Sequence, residues 1–210
     1  MIVEIWSDFA CPFCYIGKRR FEQAVALLED RDEVEVIHRS FELDPNAPID
    51  IDLDIYDMLS NKYGMSREEA KKTNASLAQQ ANVEGLDLHF DSMKLTNTFN
   101  AHRLVQLAKQ HNKMNEMVER IFKAYFTDSL HIGKQETLLD LATDVGLNRQ
   151  EVKSLLNSNQ FENIVRGDEQ EASQFGIRGV PYFVINRKYA VSGAQTVDVF
   201  LNALKKAVAE

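Results

Sequence analysis

The sequence predicts an α/β fold with a large all-helical insertion, and three observations carry that expectation. Short β-branched and aromatic runs bounded by turn residues fall only towards the two ends of the chain, at residues 2–6 and 34–37 and again at 182–185 and 189–191. From about residue 50 to residue 175, apolar residues recur at helical spacing with no further convincing strand. No repeat, low-complexity segment or long linker separates the middle from the ends, so the helical block reads as inserted into an α/β domain. The expected boundaries are residues 1–48 and 166–210 for the α/β domain and 49–165 for the helical insertion.

Each element has a local reason. Residues 2–6 (Ile2-Val3-Glu4-Ile5-Trp6) form the first strand, and Ser7-Asp8-Phe9-Ala10 the loop after it. Cys11-Pro12-Phe13-Cys14 then opens a helix with Ile16, Phe21, Val25 and Leu28 on its apolar side. Pro12 suits the first helical position, where its missing N–H would be unbonded anyway. Val34-Glu35-Val36-Ile37 is a second strand, ended before Asp44-Pro45.

In the middle, Ile55, Met58 and Leu59 are helically spaced, and Ser66-Arg67-Glu68-Glu69 carries a capping-box start. Ala101, Leu104, Val105 and Ala108 make one stripe, and Met117, Ile121, Phe122 and Tyr125 another. Leu138, Leu139, Leu141 and Ala142 precede Gly146, a helix stop, and Asn148 opens one more helix. Tyr182-Phe183-Val184-Ile185, a turn at Asn186-Arg187-Lys188 and Tyr189-Ala190-Val191 read as a hairpin. Val199, Phe200, Ala203, Leu204 and Val208 give the closing helix its apolar face.

The chemistry is read from the only two cysteines, three positions apart. At a helix start, cysteines so spaced have Cα atoms roughly 5–6 Å apart, within disulfide range. Cys11 lies where orphan N–H groups and the positive end of the helix dipole converge, which favours thiolate; such settings lower a thiol from ~8.5 to roughly 3.5–7.5. Cys11 is therefore the expected nucleophile and Cys14 the resolving thiol. Pro12-Phe13 adds no cation beside Cys11, which implies a less extreme thiolate than a histidine there would give.

A zinc site also uses this spacing, but tetrahedral zinc wants four ligands. No further cysteine exists and the five histidines show no close pair, so no metal and no cofactor is expected; an inert buried pair stays open. Val180-Pro181 before a strand reads either as an edge proline or as a cis bond presenting the Val180 backbone to an extended substrate beside the cysteines.

Composition narrows the partners. The chain is 44% hydrophobic and 27% charged, with a net charge of −8 and scattered Lys and Arg, which disfavours a nucleic-acid partner. No run approaches the ~20 apolar residues of a membrane-spanning helix, so no membrane partner is expected. The N-terminal residues lack the pattern of a secretory signal, and the expected location is cytoplasmic.

The order of elements, with Cys-Pro-Phe-Cys near one end and Val-Pro before a hairpin near the other, resembles the DsbA family of the thioredoxin superfamily. Trp6-Ser7-Asp8 through Cys11-Pro12-Phe13-Cys14-Tyr15-Ile16-Gly17-Lys18-Arg19, with Asn97-Thr98-Phe99-Asn100-Ala101-His102-Arg103, is similar to its FrnE-like cytoplasmic branch. The resemblance implies a thioredoxin-like fold with a large all-helical insertion, thiol–disulfide exchange at Cys11 and Cys14, and substrate contacts from Pro12, Phe13, Val180 and Pro181. The implied partners are protein or peptide disulfides and thiols, with glutathione or another low-molecular-weight thiol as a further candidate.

The same branch is related to 2-hydroxychromene-2-carboxylate isomerase and kappa-class glutathione transferase, which carry serine at the position of Cys11. A glutathione-dependent isomerase or transferase is thus one alternative, and a non-enzymatic thioredoxin-fold adaptor or holdase another. Many thioredoxin-like proteins bury an acid six positions before the first cysteine; here that position is Ile5. Glu4 takes the role of proton relay, with a raised pKa, if the loop is one residue longer; otherwise it is a strand-edge charge. Asp8 either faces the catalytic loop, where its negative charge would oppose thiolate formation, or simply turns the chain, and the turn is the preferred reading. His102 and Asn97 in the helical block are candidates to line the cleft, although a helical histidine is more often a packing residue, and neither is read as catalytic.

Overall fold

The computed structural model describes residues 1–209, which divide into two compact units. One comprises Met1–Leu43 with residues 161–209, the other Asp44–Gln160.

The first unit is built on a four-stranded sheet in the order β2-β1-β3-β4. Strand β1 (Ile2–Ser7) pairs in parallel with β2 (Glu35–Ser40), from Ile2 opposite Glu35 to Ser7 opposite Ser40. On its other side β1 pairs antiparallel with β3 (Tyr182–Ile185), Val3 facing Ile185 and Trp6 facing Tyr182. Strand β4 (Tyr189–Ser192) completes the hairpin with β3. Helix α1 (Pro12–Ala26) connects β1 to β2, and α9 (Val197–Val208) follows β4.

Both faces of β1 are covered, and side chains alternate between them. Val3 and Ile5 point into a cluster with Phe21 and Ala24 of α1, Phe183, Ile185 and Val191 of the hairpin, and Phe200 and Leu204 of α9. Phe183 and Phe200 meet edge-to-face with ring centroids 4.6 Å apart. Trp6 and Val184 point the other way, against Ala172 of α8 (Glu162–Gln174) and Ile177. The Trp6 indole N–H donates to the Asp168 carbonyl at 2.9 Å.

Strand β2 continues three residues beyond the apolar run that suggested it, through His38, Arg39 and Ser40. These polar residues suit a strand because α8 offers matching groups. Arg39 pairs with Glu4 and Asp168, and the Ser40 N–H donates to the Asp168 carboxylate at 2.9 Å.

Among the described residues the second unit has no strand and six helices: α2 (Ile55–Tyr63), α3 (Arg67–Val83), α4 (Phe99–Gln110), α5 (Met114–Phe126), α6 (Gln135–Asp144) and α7 (Arg149–Leu156). Asp54 and Asn148 accept N–H groups at the starts of α2 and α7. Ser66 and Glu69 form a reciprocal capping box on α3. Helix α4 is buried from Ala101 through Ala108, so its apolar stripe lies in this unit's core.

Candidate active site

The site lies in the first unit, where the chain leaves β1 and enters α1. Cys11 is the N-cap of α1 and Pro12 takes the first helical position. The Cys11 N–H donates to the Asp8 carbonyl at 3.1 Å, and the Cys14 N–H to the Cys11 carbonyl at 3.0 Å. These bonds tighten the turn that brings the two residues onto the first turn of the helix. Both cysteines are free thiols; Cys14 is 1% exposed and Cys11 6%.

The segment before β3 closes on this turn. The Val180–Pro181 peptide bond is cis, and the Cys11 thiol donates to the Val180 carbonyl at 3.5 Å. Pro181 is buried, Val180 half-buried and Phe13 exposed. Gly17 makes this approach possible: a Cβ there would lie 2.9 Å from Pro181 Cγ and 3.4 Å from Ala194 Cα. Arg20, one turn further along α1, donates to the Ala194 carbonyl at 2.7 Å, and the Gly193 N–H donates to the Pro181 carbonyl at 2.8 Å. Sequence reasoning did not single out Gly17. The available signal was a glycine inside a helix, which costs roughly 1 kcal/mol against alanine and so calls for a packing reason.

Burial pushes the Cys14 thiol well above its ordinary value, and the adjacent Cys11 sulfur and Asp8 carboxylate push it further. The Asp8 N–H, 3.5 Å from Cys14 Sγ, pulls the other way without reversing the direction.

Asp8 is more than a turn former. Its side chain is buried in the residue's 1% exposure and accepts N–H groups from Ala10 at 3.3 Å and Leu43 at 2.7 Å. The sequence offers both the catalytic loop and the local turn for Asp8 and favours the turn, because Leu43 and Cys14 approach it only in the folded unit.

Glu4 is placed differently from the relay expectation. It shares the Trp6 face of β1, whereas α1 packs on the Val3 and Ile5 face, so the sheet lies between Glu4 and the helix that carries Cys14. Burial alone would raise its carboxyl, but hydrogen bonds from Arg187 at 2.8 Å and Arg39 at 3.0 Å hold it below the ordinary value. The expected raised pKa is therefore corrected: Glu4 anchors a cluster of Arg39, Arg187, Asp168 and Glu171 on the far face.

The segment around Asn97 is an architectural element of the second unit. Asn97 Oδ1 accepts the Phe99 N–H at 2.9 Å. The buried Arg103 guanidinium donates to the carbonyls of Leu155 at 2.7 Å, Gln160 at 2.8 Å and Ser158, closing the C-terminal end of α7. Among the described residues, no group of three or more His, Cys, Asp or Glu side chains is placed to hold a metal ion. None of the helices is long and apolar enough to cross a membrane.

Residues 2–205 match the description of the DSBA-like thioredoxin domain. The chain belongs to that family. A solved structure of a probable DsbA oxidoreductase from Streptomyces coelicolor is 44% identical and superposes with a TM-score of 0.96, covering 100% of this chain and 91% of that one. An uncharacterised Bacillus subtilis protein, YwbO, is 30% identical over 204 residues, 96% of this chain and 94% of the relative. A 2-hydroxychromene-2-carboxylate isomerase, 17% identical with a TM-score of 0.74 over 99% of this chain and 96% of that one, shares the fold. At the level of the DSBA-like family the protein is an oxidoreductase-type enzyme acting on thiols or disulfides, or a related isomerase.

Proposed function

We propose that this DSBA-like protein is a thiol–disulfide oxidoreductase in which Cys11 attacks and Cys14 resolves, with protein or peptide disulfides and small thiols as partners. The observation that carries the reading is the asymmetry of the two sulfurs. Cys11 caps the helix and faces the Val180 carbonyl, whereas Cys14 is buried one turn on with its ionisation opposed.

In the reductive direction, the Cys11 thiolate attacks one sulfur of a substrate disulfide, forming a mixed disulfide and expelling the other sulfur as a thiolate. Cys14, after losing its proton to solvent, attacks Cys11 Sγ. The substrate's second thiolate leaves, and two electrons have passed from the protein dithiol to the substrate. The Val180 carbonyl and the exposed Phe13 ring offer an extended substrate one backbone acceptor and one apolar contact beside Cys11. Pro12 and Pro181 set the walls of that contact.

The test is insulin reduction followed together with adduct capture. Cys14→Ser should accumulate a covalent Cys11 adduct, and Cys11→Ser should abolish turnover. Equal turnover in wild type and Cys11→Ser would refute the proposal.

A further inference from the structure

Resting on the exchange reading above, we infer that Asp8 is a positioning residue of the dithiol site: it ties together the loop around both cysteines and sets a buried negative charge that slows release of bound substrate by Cys14.

Every polar group of Asp8 is engaged there. Its carbonyl receives the Cys11 N–H, its N–H reaches Cys14 Sγ, and its carboxylate receives Ala10 and Leu43. The N–H contact at 3.5 Å fixes the carboxylate of the same short side chain within roughly 7 Å of Cys14 Sγ. With Asp8 1% and Cys14 1% exposed, little water screens the pair.

Around this turn Cys11 lies beside Cys14, and Lys18, one turn further along α1, bonds Glu22 at 2.7 Å. Glu42, past the end of β2, is bound by Arg166. Glu4 lies on the other face of the sheet. On this inference the acid that acts on the resolving cysteine lies three residues before the first cysteine, where its N–H reaches Cys14 Sγ.

The chemical consequence is confined to one step. Capture uses the Cys11 thiolate, whereas resolution requires Cys14 to lose a proton in a site where Asp8 opposes the resulting charge. A slow second step lengthens the life of the mixed disulfide and gives a substrate's own thiols time to react with it.

Stopped-flow reaction of the full-length reduced protein with excess dithiobis-nitrobenzoate separates the two steps. Attack by Cys11 releases one coloured aromatic thiolate. Attack by Cys14 on Cys11 Sγ then forms the Cys11–Cys14 disulfide and releases the second. In wild type, the rate of the second release should still be rising with pH at pH 9. Asp8→Asn and Asp8→Ser, which keep a side-chain oxygen for one of the two N–H groups but remove the charge, should accelerate the second release at least about fivefold at pH 7. The first release should change far less.

Slower or unchanged second release in both neutral variants would overturn the inference, as would a wild-type profile that levels off below pH 8. A wild-type profile that levels off below pH 8 overturns the inference whether or not the variants fold. A wild type that releases only one equivalent would instead overturn the exchange reading itself.

Discussion

Replacing Gly17 by alanine sets two effects of known sign against each other inside one helix. Alanine in a helix interior is favoured over glycine by roughly 0.8–1.0 kcal/mol. At Gly17, however, the new Cβ would meet Pro181 Cγ at 2.9 Å, with Ala194 Cα at 3.4 Å behind it. Restoring ordinary van der Waals contact moves the Pro181 ring by about half an ångström, and overpacking of this kind costs typically ~1–3 kcal/mol.

The expected net effect on stability is therefore a loss of about 0–2 kcal/mol. Gly167 supplies the control. It lies inside α8, and no atom stands within 4 Å of the Cβ it would gain, so Gly167→Ala should stabilise by up to about 1 kcal/mol. Urea unfolding of both variants isolates the steric contribution as their difference, about 1–3 kcal/mol.

The functional effect should exceed the thermodynamic one. The displaced Pro181 carries with it the Val180 carbonyl, now 3.5 Å from Cys11 Sγ, so insulin reduction should fall several-fold at protein concentrations and temperatures where Gly17→Ala is fully folded. A Gly17→Ala protein stabilised as much as Gly167→Ala, with unchanged insulin reduction, would show that the contact with Pro181 does not position the site.

Three further outcomes follow from the same structure. Acid titration should be biphasic at the Glu4–Arg39–Asp168 cluster. Burial holds the folded Asp168 carboxyl above its ordinary value despite Ser40 and Arg39, so stability rises as pH falls from neutral through that value. Arg187 and Arg39 overcome burial at Glu4 and hold it below, so its contribution is complete above about pH 4.3 and is lost as pH falls through the depressed value. Urea unfolding from neutral to acid pH should therefore show Asp168→Asn without the rise and Glu4→Gln without its part of the fall; a Glu4→Gln curve parallel to wild type would refute the assignment. Phe13→Ser, at a residue 48% exposed, should change stability by less than about 0.5 kcal/mol yet raise the KM for insulin several-fold, with little effect on dithiobis-nitrobenzoate. Trp6→Phe removes the indole bond to the Asp168 carbonyl from a fully buried position and should cost about 1–3 kcal/mol by urea unfolding; a loss below about 0.5 kcal/mol would show that the bond is replaced.

Local chemistry determined much of this protein. The strand runs, Pro12 at the helix start, the capping box at Ser66 and the glycine and asparagine punctuation act over a few residues, so element types and the i, i+3 placement of Cys11 and Cys14 are legible in the sequence. Strand β2 was legible only in its apolar half. Its polar end, Arg39 and Ser40, is stabilised by Asp168, which arrives from 129 and 128 residues along the chain.

The site divides in the same way. The sequence by itself supplied the two thiols and pointed to Val180-Pro181, because helix-start geometry and a proline before a strand are local facts. It could not decide which carboxylate serves which cysteine. Strand parity sends Glu4 to one face and α1 to the other, and whether Asp8 merely turns the chain or also acts on Cys14 depends on burial and on the approach of Leu43. Such assignments depend on the tertiary structure alone, because the energy of a charge depends on what surrounds it, and the surroundings come from residues distant in the sequence.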